Sequence, residues 1–219
     1  MVGNDVVDLR DPESAPETLH PRFDTRVFGE RERAAIAASE DSVRLRWKFW
    51  AAKEAAYKLA RKLSPTTVFA PARFVVALSD AETATVTHGD ARYRVAFTEN
   101  AGALHAVATQ ADDDKAEVLA GWRRLAVGEI ASGDPEAPSR AVRELLCERL
   151  AARLGVSPDA LEVRRRGRVP YLWLNGKPAP VDLSLSHHGG WLAFACELAG
   201  PTGADARGAS AASKKGRAS

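Results

Sequence analysis

From Asp41 or Ser42, either able to cap a helix, helix-compatible residues run unbroken to about Leu63 and stop before Ser64-Pro65. A helix of that length must be packed along its side. Advancing about 100° per residue, Leu45, Phe49, Ala52, Ala56, Leu59 and Leu63 form one stripe, which is the core-facing side. The other side carries Trp47, Trp50 and Tyr57 among Glu54, Lys58 and Arg61, and aromatic rings are poorly placed facing water. A solvent-exposed Glu54–Lys58 pair would add only about 0.2–0.5 kcal/mol. The aromatics instead imply a second wall over this side, which turns the charges into the lining of a cleft.

The elements around that helix define an α+β chain. Residues 2–9, VGNDVVDL, read as a strand ended by the turn-forming DPESAP. Residues 72–110 alternate apolar and polar in short runs broken by SDAE, HGD and ENAG, the pattern of antiparallel hairpins. After the turn-rich ASGDPEAPS at 131–139, RAVRELLCERLAARLG resumes a helical period that ends at Gly155. Strand-like runs follow near 161–165, 170–174, 181–186 and 190–198. The expected division is a first half over 1–110, a linker over 111–138 and a second half over 139–198. Residues 199–219 lack large apolar side chains and read as a disordered tail.

At 219 residues and 45% hydrophobic the chain can bury a full core. With 31 basic and 29 acidic side chains, no global field selects nucleic acid or an anionic membrane as partner. The RRRGR run at 164–168 lacks the aromatic interleaving of an RNA-binding module. Cys147 and Cys196 lie far apart, which fits free thiols in a reducing compartment. With no apolar leader and no run long enough to span a bilayer, the expectation is a soluble, cytoplasmic protein.

Chemistry concentrates in three places. Glu54 between Lys53 and Lys58 suits a divalent cation and phosphates, since an oxygen ligand holds Mg²⁺ while lysines neutralise phosphate charge. In the first strand, Asp5 and Asp8 are three apart and point to opposite faces, so only one can easily share a site with Glu54. At the other end, SLSHHGGW places Ser186 and His187 at a strand end beside glycines. That is either a phosphate grip or a solvated turn. No G-x-S-x-G elbow surrounds Ser186, and adjacent histidines lack the spacing of a helical zinc pair.

These pieces together resemble the 4′-phosphopantetheinyl transferase superfamily. The family's G-x-D-[IV] strand is matched by Gly3-Asn4-Asp5-Val6, and its W-x-x-K-E-[AS]-x-x-K helix by Trp50 to Lys58. Its acidic residue between them is best matched by Glu32 in HPRFDTRVFGERER, and its G-K-P by Gly176-Lys177-Pro178 ahead of the serine-histidine motif. The motif order implies a circularly permuted pseudo-dimer. Residues 1–110 are similar to the C-terminal half of the larger, surfactin-synthetase-activating type, and 139–198 to its N-terminal half. The short holo-acyl-carrier-protein synthase type shares the order but is about half as long and trimeric, so the resemblance here implies a monomer.

The resemblance implies Mg²⁺-dependent transfer of phosphopantetheine from coenzyme A to a serine of an apo carrier protein. The alternative is a non-catalytic coenzyme A-binding protein of the same fold. It further implies Asp5 and Glu54 as metal ligands, with Lys53 and Lys58 assisting at the pyrophosphate. Ser186, His187, Lys177 and Arg140 would bind the coenzyme A phosphates, and Arg22, Arg26 and Phe23 an acidic carrier protein. The proton acceptor for the carrier serine is Glu54 directly or Glu32 through a water. The chain departs from the family in two places: Val7 stands where the larger type has a second carboxylate, and His188 stands at the third residue of S-H-S. Asp8 falls where the short type has an acidic residue.

Overall fold

A computed structural model describes residues 1–100, 102–112, 117–126 and 134–198. The tail over 199–219 lies outside the described residues. The chain opens with β1 (Val2–Asp8), then three helices, α1 (Phe23–Val27), α2 (Glu30–Ala38) and α3 (Ser42–Leu63). Four strands follow, β2 (Val75–Leu78), β3 (Thr83–His88), β4 (Ala91–Asn100) and β5 (Ala103–Gln110), giving a sheet of order β1-β5-β4-β3-β2. All its pairings are antiparallel. Tyr93, Val95 and Phe97 alternate inward along β4 and meet Phe49, Ala52, Ala56 and Leu59 of α3 in one core. The helix starts where the Asp41 carboxylate accepts the Arg44 amide at 2.9 Å, and it ends at Ser64, before Pro65. Leu63, expected in the core stripe, is the last residue of the helix and is 42% exposed.

The second part comprises β6 (Glu117–Arg124), α4 (Ala137–Leu154), β7 (Leu161–Arg166), β8 (Val169–Leu174), β9 (Lys177–Pro178), β10 (Val181–His188) and β11 (Trp191–Leu198). It forms two sheets, β10-β11-β6 and β7-β8-β9, around a core of Leu146, Leu150, Leu172, Leu183, Leu192 and Phe194. Helix α4 ends at Gly155 in the left-handed region, φ 68°, where a residue with Cβ would be strained.

The linker expected over 111–138 is corrected by β6, which pairs with β11 from Glu117↔Leu198 to Trp191↔Arg124. As an edge strand, with every described residue at least partly exposed, β6 lacks the buried alternation that would mark it in the sequence. Its order beside β11 and β10 repeats that of β1 beside β5 and β4. In each part, the opening strand lies against the last.

Strand β1 holds the two parts together, and all seven of its residues are buried. One face lies directly on α3: a Cβ on Gly3 would stand 2.0 Å from the Ala55 carbonyl oxygen and 2.8 Å from the Leu59 nitrogen. Its free edge meets β10 through side chains rather than a backbone ladder. The amides of Val2, Asn4, Val6 and Asp8 donate to Asp182 Oδ2 (2.7 Å), Ser184 Oγ (3.0 Å), Ser186 Oγ (3.3 Å) and His188 Nδ1 (3.0 Å). The constant offset means that β1 and β10 run parallel. The carbonyls of Val2 and Asn4 accept from Lys62 (2.6 Å) and Lys58 (2.8 Å). Four residues of helix advance about 6 Å and two of strand about 6.6 Å, so lysines four apart meet carbonyls two apart. These contacts satisfy four amides and two carbonyls of an edge that would otherwise carry unpaired backbone groups.

Candidate active site

The cleft required by the aromatic side of α3 lies where α3, β1 and β10 meet, with a volume of about 310 Å³. Its walls include Asp5, Trp47, Trp50, Glu54, Lys58 and His187. Phe23 covers Trp47 and Trp50 at centroid distances of 5.9 and 5.6 Å, and the Trp47 indole N–H donates to the Ser14 carbonyl at 2.8 Å. The rings thus pack between α3 and the segment leading out of β1.

Asp5 is 8% exposed, and its Oδ1 accepts from Ser186 Oγ at 2.8 Å and Lys58 Nζ at 2.9 Å. Lys58 also donates to the Asn4 carbonyl and to Ser186 Oγ. Glu54, half-buried, makes no hydrogen bond or ion pair among the described residues. Burial first, then the neighbouring Asp5 charge, raises its carboxyl to about 7, with Lys58 opposing. A second carboxylate close to Asp5, with no hydrogen-bond or ion-pair partner of its own among the described residues, completes the donor set a hard cation takes, and the cleft beside it has room for phosphate oxygens. Val7 lines the same cleft with an apolar side chain.

Asp8 faces away, as its spacing from Asp5 requires. Its carboxylate accepts the amides of Arg10 and Gly190, each at 3.0 Å, and does not line this cleft. Asp11, Glu13 and His188 bring ligand atoms within 4.8 Å of one another at the rim. His188 Nδ1 is already an acceptor for the Asp8 amide, so the ring proton sits on Nε2. With both ring nitrogens engaged, His188 offers a cation no lone pair.

Four expected site residues are placed elsewhere. Lys53 and Glu32 form a buried pair, Nζ to both carboxylate oxygens at 2.8 Å, with exposures of 0% and 3%. Glu32 also accepts the amides of Gly29 (2.7 Å) and Val76 (2.8 Å), while Lys53 donates to the carbonyls of Phe74 (2.5 Å) and Pro71 (3.2 Å). Burial lowers the Lys53 ammonium, and Glu32 opposes that shift. Neighbours on a helix point about 100° apart, so Lys53 enters the core while Glu54 faces the cleft. Lys177 is exposed on β9, and Arg140 is exposed and paired with Asp134 at 2.9 Å. Neither lines the cleft.

His187 stands at the cleft's mouth, with partial burial, then Lys58 and His188, holding its imidazole below the ordinary value. A second recess of about 180 Å³ shares Glu54, Lys58 and Leu185 with the cleft and adds Arg61, Lys62 and Arg168. Arg61 was among the charges that the sequence placed on this side of the helix; Lys62 and Arg168 were missed from sequence. The signal for Arg168 is a second glycine-basic-proline run, Gly167-Arg168-Val169-Pro170, ahead of Gly176-Lys177-Pro178. Among the described residues no helix is long and apolar enough to cross a membrane.

Residues 1–110, which contribute Asp5, Glu54 and Lys58, match a family model described as the 4′-phosphopantetheinyl transferase superfamily. No curated protein matches the chain.

Proposed function

The chain belongs to the 4′-phosphopantetheinyl transferase superfamily, and from that premise we propose that it transfers 4′-phosphopantetheine from coenzyme A to a serine of an apo carrier protein, with Mg²⁺ held by Asp5 and Glu54. The observation that carries this reading is the Glu54 carboxylate, unpartnered beside Asp5 in a cleft bordered by cations. When bound, the metal would neutralise charge developing on the pyrophosphate.

The serine oxygen forms a bond to the β-phosphorus, and the bond from that phosphorus to the bridging oxygen breaks. The products are the phosphopantetheinyl carrier protein and adenosine 3′,5′-bisphosphate. Of the two carboxylates weighed as acceptor for the serine proton, Glu54 lines the cleft and Glu32 is consumed by Lys53 and two amides. Glu54 therefore takes that role. Arg61 and Arg168 in the adjoining recess, with His187 at the mouth, suit the adenosine-phosphate end of the donor. Arg22 and Arg26 are exposed beside Phe23 on the cleft's aromatic wall, where an acidic carrier helix would dock.

One chain supplies every one of these groups, and we read it as a monomer built of two permuted halves. Release of adenosine 3′,5′-bisphosphate from coenzyme A and Mg²⁺, dependent on an apo carrier protein and absent when the carrier serine is alanine, tests the proposal. Coenzyme A binding without such release would make this a non-catalytic relative.

A further inference from the structure

The Ser186 hydroxyl, on a residue 6% exposed, sits at a junction of three hydrogen bonds. It donates to Asp5 Oδ1 at 2.8 Å and accepts from Lys58 Nζ at 3.2 Å and from the Val6 amide at 3.3 Å. A hydroxyl has one proton and two lone pairs, so its capacity is spent inside the protein. A phosphate oxygen accepts only, and the proton it would need is the one that Asp5 holds. Lys58 spends its three N–H groups in the same way, on the Asn4 carbonyl, Asp5 Oδ1 and Ser186 Oγ.

Both donors therefore converge on one oxygen of Asp5. That contact fixes the rotation of the carboxylate and leaves Oδ2 as its oxygen without a partner among the described residues. We infer that Ser186 is a positioning residue for the cation site, holding Asp5 so that Oδ2 is free for the metal, and is not a ligand of the coenzyme A phosphates. This rests on the reading of Asp5 and Glu54 as cation ligands. Ser184 supplies an internal control: its hydroxyl accepts the Asn4 amide at 3.0 Å in the same series of contacts and has no bond to Asp5.

The test measures Mn²⁺ affinity without coenzyme A, and coenzyme A affinity without metal, in the full chain and in Ser186→Ala and Ser184→Ala. Hydrogen-bond partners of metal ligands typically contribute about 10–100-fold to metal affinity. Ser186→Ala is expected to weaken Mn²⁺ by about tenfold or more and leave metal-free coenzyme A affinity within about twofold, while Ser184→Ala holds Mn²⁺ within about twofold. If Ser186→Ala does not fold, Ser186→Cys keeps the volume with a weaker donor and is expected to show the same ordering. Loss of coenzyme A affinity with Mn²⁺ affinity intact would make Ser186 a phosphate ligand and overturn the inference. Equal weakening of Mn²⁺ in the Ser184 and Ser186 variants would reduce it to a structural contact. Folded wild type that binds coenzyme A but no Mn²⁺ would remove the cation reading beneath it.

Discussion

Glu54 and Lys53 are neighbours in sequence with opposite fates. Lys53 is sealed in the core against Glu32, whereas Glu54 keeps a raised carboxyl in the cleft. The raised value sets a pH dependence. Between its ordinary 4.5 and its folded value of about 7, Glu54 binds more proton in the folded than in the unfolded chain. Metal-free stability therefore falls as pH rises through that window. The urea midpoints of wild type and Glu54→Gln, followed from about pH 5 to pH 8, should show wild type losing stability that the variant keeps. Parallel curves would mean that the carboxylate is not shielded from water. Under the proposed cation role the dependence runs the other way: Mg²⁺ would compete with the proton on Glu54, so its affinity should rise with pH up to about 7. The W-x-x-K-E-x-x-x-K spacing placed Glu54 and Lys58 in the sequence. It did not separate Lys53 from them, because which side of a helix is covered depends on what packs there.

At the scale of elements, the buried Lys53–Glu32 pair ties α2 and α3 to the segment 71–76 entering β2. Glu32→Gln leaves Lys53 short of its counter-charge in the interior and should cost about 3–5 kcal/mol, read from the urea midpoint. Replacing both partners with apolar residues of similar volume should recover much of that loss. A Glu32→Gln variant of unchanged stability would contradict a structural role. Strand β1, α3, the hairpins of β2 to β5 and Gly155 at the end of α4 were legible from periodicity and turn residues. Strand β6 was not, because an edge strand lacks the buried alternation that the reading relied on. Lys177 and Arg168 show the same limit: two similar glycine-basic-proline runs stand in the sequence, and the β7–β8 hairpin brings only the one with Arg168 toward α3.

For the whole molecule, the site belongs to neither part alone. Asp5, Glu54 and Lys58 come from the first, Ser186 and His187 from the second, and β1 joins them through amides and carbonyls that find side chains of β10 and α3. The polar alternation of VDLSLSHH was visible as a run; its partner strand, 180 residues away, was not. Lys62, bonded to Asp182 at 2.8 Å and to carbonyls of Val2 and Leu183, is likewise a contact that only the assembled fold shows. The central claim is that this junction transfers phosphopantetheine with Glu54 in the cleft and Glu32 outside it. Intact mass of an apo carrier protein, after incubation with coenzyme A, Mg²⁺ and the enzyme, tests it most directly. Wild type and the folded fraction of Glu32→Gln should add one phosphopantetheine, and Glu54→Ala should add none. No gain with wild type on several carriers, or an undiminished gain with Glu54→Ala, would contradict the account.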